Sequence, residues 1–245
     1  MVSDRHRRMK CLMSLSGVLM AATVQAGEST QVLTDPQTLR PLPVQIYHPL
    51  PPCSAARPCP VAMLSPGYGI DYRSYRFLAA ILNARGYVVL AIDHAAEDSS
   101  AFDFNAPLRP QMQKKWESGL RHFRLVRSQF EKSQSGWDWD KLLLVGHSLG
   151  GDQSAEYARQ APVAGLITLD NRRAVLPRSV PLLSLRASDT EADPGVLPAK
   201  DEAPSACIVK LPDARHNDMS DAGPAELRQR LSAQIARWLD GACPL

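Results

Sequence analysis

The sequence predicts an α/β fold, a mostly parallel central sheet with helices on both faces. Three observations carry this. Short apolar runs without polar interruption recur along the chain, as strands buried on both faces require. Helical stretches separate these runs, and parallel neighbours need such crossovers. One run, Leu142–Val145, leads into Gly146-His147-Ser148-Leu149-Gly150 and then a helical stretch. That is a strand–turn–helix with a serine at the carboxyl end of a buried strand.

The elements follow in order. Residues 1–26 read as a signal peptide: Arg5, Arg7, Arg8 and Lys10 make a positive start, and Leu12 to Val24 is mostly apolar but short for a membrane span. Small residues at Val24-Gln25-Ala26 offer a cleavage site after Ala26. Residues 27–245 suit one domain. Val44–Tyr47 is an early strand, preceded by Thr38–Pro43. Pro49 to Pro60 is a proline-rich connection. Val61–Leu64 is a buried strand ending at Ser65-Pro66-Gly67-Tyr68-Gly69. Tyr75–Ala84 reads as a helix stopped by Gly86, and Tyr87–Ile92 is a strand closed by Asp93-His94.

Ala95–Pro110 is polar and irregular. Gln111–Ser133 carries Trp116, Leu120, Phe123, Val126 and Phe130 at helical spacing, a core-facing stripe. Trp137–Asp140 reads as the turn into the serine's strand. After Ser148 a helix runs to about Arg159. Val163–Leu169 is a strand ending in Asp170, and Leu182–Leu185 ends near Ser188-Asp189. Cys207–Leu211 is the last strand and opens into the loop of His216. Pro224–Leu239 is the final helix, with proline in its first turn and Leu227, Leu231, Ile235, Trp238 and Leu239 on one side.

Charge excludes one class of partner. The chain has 28 Lys and Arg against 25 Asp and Glu. Four of the former and one of the latter lie in residues 1–26, leaving 24 of each, so no electrostatic footprint for nucleic acid remains. Residues 27–245 keep Cys53, Cys59, Cys207 and Cys243. An even number in an exported chain suggests disulfides. Cys53–Cys59 and Cys207–Cys243 are the favoured pairs among three possible connectivities. No close Cys-x-x-Cys pair or His cluster accompanies them, so a zinc site is the weaker reading.

The predicted strand ends collect chemistry at one edge of the sheet, where ligands bind in such folds. Ser148 needs a base that takes its proton and returns it to a leaving group. His216 is the one histidine after Ser148, on the loop beyond the last strand. An acid must orient that imidazole. Asp170 is preferred because it ends a clean apolar strand, and Asp189 is the alternative. The developing oxyanion needs two N–H donors. Leu149, opening the helix, supplies one, and Tyr68, in the glycine-flanked loop after Val61–Leu64, supplies the other. His147 reads as packing, His94 as a residue that can line the pocket, and His48 and His122 carry no signal.

These motifs resemble the α/β-hydrolase superfamily over nearly all of residues 27–245. Ser65–Gly69, Ile92-Asp93-His94, Gly146–Gly150 and His216-Asn217-Asp218-Met219-Ser220-Asp221 are most similar to platelet-activating-factor acetylhydrolase-like and dienelactone-hydrolase-like serine esterases, with cutinase and lipase relatives. Ser65 and Met219 depart from the histidine and aromatic of those patterns. The resemblance implies an acid after the strand that follows the nucleophile, which is Asp170.

The expectation is an exported (periplasmic or secreted) serine hydrolase that cleaves carboxylic esters through an acyl-enzyme. Its substrate would be a small-molecule, lipid or polymer ester. It would need no metal or organic cofactor and would not stay inserted in a membrane after leader cleavage. An acyltransferase, an amidase or peptidase, and a non-catalytic binding protein are the alternatives on the same scaffold. Acyl length, a lid over 95–110 and oligomeric state stay open.

Overall fold

The computed structural model describes residues 27–95 and 101–243. The expected leader lies outside the described residues, as do 96–100 of the irregular connection. Among the described residues, eight strands form one sheet: β1 (Glu28–Thr34), β2 (Pro41–Tyr47), β3 (Cys59–Ser65), β4 (Val88–Ile92), β5 (Trp137–His147), β6 (Gly165–Leu169), β7 (Leu182–Arg186) and β8 (Ala206–Lys210). Their spatial order is β1-β2-β4-β3-β5-β6-β7-β8. β2 runs antiparallel to β1 and β4, and every other pair is parallel.

Period-two alternation divides the core. Val61 and Met63 of β3, with Val88, Leu90 and Ile92 of β4, face one side. Ala62, Leu64, Val89 and Ala91 face the other. The first side is covered by α2 (Leu108–Ser133) and α3 (Leu149–Ala158), through Trp116, Phe123, Phe130 and Ala155. The second is covered by α1 (Arg76–Asn83) and α4 (Ala225–Leu239), through Leu78, Leu82, Leu227, Leu231 and Ile235. Helices therefore lie on both faces, and each apolar stripe is spent on the sheet.

Three local readings are corrected. Trp137–Asp140 is not a turn but the first part of β5. Trp137 and Trp139 are buried while Asp138 and Asp140 are not, the alternation of a strand. Trp137 packs on Phe130 with ring centroids 5.2 Å apart. α2 begins at Leu108 rather than Gln111. Pro110 falls in its first turn, where a missing N–H breaks no helical bond. β1 has no counterpart in the sequence reading, because this edge strand is mostly exposed and polar.

Among the described residues two disulfides form, Cys53–Cys59 and Cys207–Cys243. The second joins β8 to the segment after α4. Among the described residues no helix is long and apolar enough to cross a membrane.

Candidate active site

Ser148 joins β5 directly to α3, with φ 50° and ψ −116°. A non-glycine residue in that region carries strain of about 1–3 kcal/mol, so its surroundings must hold it. Its N–H donates to Leu169 C=O at 2.9 Å, and its own C=O accepts from Asp152 N–H at 3.0 Å. The flanking glycines serve close packing. A Cβ on Gly146 would collide with the Gly150 carbonyl, and one on Gly150 with the carbonyls of Ser65 and Pro66. The end of β5, the start of α3 and the loop after β3 thus meet backbone to backbone.

His216 opens a short 3₁₀ turn, His216–Asp218, beyond β8. Its Nε2 lies 2.8 Å from Ser148 Oγ, and its Nδ1 lies 2.5 Å from Asp170 Oδ2. A carboxylate only accepts, so Nδ1 carries the proton and Nε2 presents its lone pair to the serine hydroxyl. Asp170 ends β6 with φ 53°, a left-handed conformation that aspartate tolerates better than most residues. It is fully buried. Burial pushes its carboxyl up, but hydrogen bonds from His216 and Thr190, the Arg186 charge and the Ala187 N–H outweigh that and hold it below the usual carboxylate range.

Of the two aspartates at strand ends, Asp170 therefore meets the imidazole. Asp189 accepts the backbone N–H of His216 at 2.8 Å, so it grips the same residue by its main chain. Two further neighbours, neither singled out by a sequence motif, complete the surroundings of Asp170. Arg186, at the end of β7, pairs with Asp170 Oδ1 at 3.0 Å and is 6% exposed at its side chain. Its Nη1 donates to Asn171 C=O at 2.5 Å. Burial lowers its pKa against the pull of Asp170. An arginine closing the apolar run Leu182–Leu185, beside a strand that ends in aspartate, is the pattern that would have found it. Buried Asp152 accepts the N–H groups of Arg172, Arg173 and Ala174 at 2.9–3.1 Å. It fixes the chain just past Asp170, and burial raises its pKa despite those bonds.

Tyr68 and Leu149 line one cavity of about 200 Å³. Leu149 is the first residue of α3, so its N–H has no partner within the helix. In the opposing loop the Gly67 N–H is committed to Tyr75 Oη at 2.9 Å, and the Tyr68 amide comes next. The Tyr68 ring packs on Phe102, centroids 4.7 Å apart. Ile70 and Pro66 add apolar wall, and Lys115, Ser118 and Gln153 add polar atoms. His94 lines this cavity too. Its Nε2 sits 2.8 Å from Ser65 Oγ and its Nδ1 2.9 Å from His122 Nδ1. Burial, with His122 adding, pushes His94 well below an ordinary histidine. His122 is fully buried; the apolar stripe of α2 gives no sequence signal that aligns it with the end of β4.

No protein-family model matches the chain, and no curated protein does. Solved structures do. A ferulic acid esterase from Streptomyces cinnamoneus is 19% identical over 89% of each chain, with a TM-score of 0.65. A dienelactone hydrolase from Anabaena variabilis is 15% identical over 90% of this chain and 100% of its own, with a TM-score of 0.62. A butyrate-bound esterase from Thermogutta terrifontis is 14% identical over 86% and 92%, also with a TM-score of 0.62. Strand order, the turn at Ser148 and these likenesses together identify the fold as that of the α/β-hydrolases.

Proposed function

We propose that this chain is an exported serine hydrolase that cleaves carboxylic esters through an acyl-enzyme. The observation that supports it is the single imidazole of His216 bonded at one nitrogen to Ser148 Oγ and at the other to buried Asp170. Ser148 Oγ attacks the ester carbonyl carbon as its proton passes to His216 Nε2. The carbonyl electrons move onto oxygen, where the Leu149 and Tyr68 amides receive them. Asp170 stabilises the imidazolium. The carbon–alkoxy bond breaks, and Nε2 returns the proton to the departing alcohol. Water then repeats the sequence, losing a proton to His216, and releases the acid and free Ser148. No step requires a metal or an organic cofactor.

The esterases and hydrolases among the structural neighbours favour this chemistry over nucleic-acid or purely structural roles. Two disulfides suit an oxidising compartment and agree with export. Beside Ser148, the cavity lined by Tyr68, Ile70 and Leu149 offers an apolar wall to one side of an ester. The test is a series of nitrophenyl esters of graded chain length, with matched anilides. Short esters are expected to be hydrolysed and anilides hardly at all. Ser148→Ala is expected to lower kcat by about 10⁴-fold or more. Hydrolysis that survives in Ser148→Ala would refute the assignment, and preferred anilide cleavage would make the protein an amidase.

A further inference from the structure

We propose that Tyr75 and His147 are positioning residues, forming a hydrogen-bonded relay that ties the oxyanion loop to the backbone of the catalytic base. Its catalytic consequence rests on the serine-hydrolase reading above. The relay has three links. Gly67 N–H donates to Tyr75 Oη at 2.9 Å. Tyr75 Oη and His147 Nδ1 are 2.8 Å apart. His147 Nε2 and His216 C=O are 2.9 Å apart. Tyr75 and His147 are 2% and 1% exposed, so water does not compete for these groups.

The direction of every link is forced. A carbonyl oxygen only accepts, so His147 Nε2 must carry the proton. Its Nδ1 is then a lone pair, and the Tyr75 hydroxyl must donate to it. The tyrosine oxygen is left to accept from Gly67. This holds only while His147 is neutral. Burial, and then the nearby His216, push its pKa down to about 4. The contact at Gly67 is close: a Cβ there would stand 2.8 Å from His147 Nδ1. The loop therefore lies on the imidazole itself.

The consequence is placement of two parts that share no local chain. His216 is gripped at both faces of its backbone, its N–H by Asp189 and its C=O by His147. Its ring then has one position from which to reach Ser148 and Asp170. At the other end, the bond to Tyr75 fixes Gly67, the residue that precedes the Tyr68 amide in the loop lining the cavity. A misplacement of about 1 Å between base and oxyanion donor is enough to cost roughly 10²-fold in rate. The residue before the nucleophile thus acts beyond packing.

The test uses Tyr75→Phe, His147→Leu and the double variant, assayed on the short nitrophenyl ester. Each single change is expected to lower kcat by about fivefold or more with KM within about threefold, and the double to be no worse than the worse single. His147→Gln, which keeps a donor toward the His216 carbonyl, is expected to recover part of the loss. A smaller fall in either single variant, or losses that multiply in the double, overturns the relay. Should the variants not fold, ¹⁵N-histidine NMR of the wild-type protein decides. A neutral Nε2–H tautomer for His147 supports the relay and an Nδ1–H tautomer overturns it. A wild type that hydrolyses no ester and leaves Ser148 unlabelled by a fluorophosphonate sinks the hydrolase reading instead, while the tautomer still decides the bonding.

Discussion

At Asp170, burial and hydrogen bonding pull in opposite directions, and hydrogen bonding wins. The carboxylate stays ionised, so it can hold His216 Nδ1–H and stabilise the charge that develops on the ring. Replacing Asp170 with Asn is expected to lower kcat by about 10²–10⁴-fold, whereas Asp189→Asn, which meets the His216 backbone rather than its ring, should cost less than about tenfold. Steady-state kinetics of the two variants check this, and the reverse ranking would make Asp189 the acid. The pairing of Ser148 with His216 is legible in the sequence because motif and chain order point to both. The choice between two strand-end aspartates was less so, since it turns on which end the imidazole folds against. Buried histidines set a further expectation. His147 is held near 4, while the unfolded chain takes up that proton near 6.5. Between those values the unfolded state binds more protons, so stability falls as pH drops, by about 3 kcal/mol from this group alone. His94 is lowered too and acts in the same direction. Asp170 acts lower still: its contribution is present above the ordinary carboxylate value and is lost as pH falls through its depressed one. Urea denaturation at about pH 7 and about pH 4.5 should show a clearly lower midpoint at the acid value. An unchanged midpoint would mean the histidines are not buried neutral.

The strand–turn–helix of β5, Ser148 and α3 works because two glycines let three backbones close together. Gly150→Ala would drive a methyl into the carbonyls of Ser65 and Pro66. It is expected to cost at least about 2 kcal/mol and to lower kcat, because the displaced loop carries Tyr68. Thermal unfolding alongside kinetics checks both. A variant as stable and active as wild type would mean these segments are looser than described. Glycines beside the serine were legible as a turn, but the collision partner lies in a segment distant along the chain. Elements with clean apolar runs, such as Val88–Ile92 and Gly165–Leu169, were legible nearly to the residue. β1 was not, because an exposed polar edge strand gets its structure from pairing with β2. Trp137–Asp140 alternates aromatic and acidic residues, and the period-two burial of its tryptophans makes it strand rather than turn.

Across the whole molecule, parallel strands β3 to β8 bring their carboxyl ends to one edge. Ser65, His94, Ser148, Asp170, Arg186 and His216 all lie at or just beyond such ends. Two layers of helix bury the sheet behind them. The sheet makes the edge rigid, and the loops beyond it carry the groups proposed to react. The fold class is legible from apolar runs alternating with helices and from the strand–turn–helix at Ser148, while the pocket is built by loops that meet only in the folded chain. The central claim is that Ser148, driven by His216, becomes covalently acylated. Intact-protein mass spectrometry after brief mixing with a fluorophosphonate, followed by peptide mapping, tests it most directly. The expected result is one adduct per chain, on Ser148, absent from Ser148→Ala and formed far more slowly in His216→Ala. A folded wild-type protein that takes no adduct, or takes it on another residue, would contradict it.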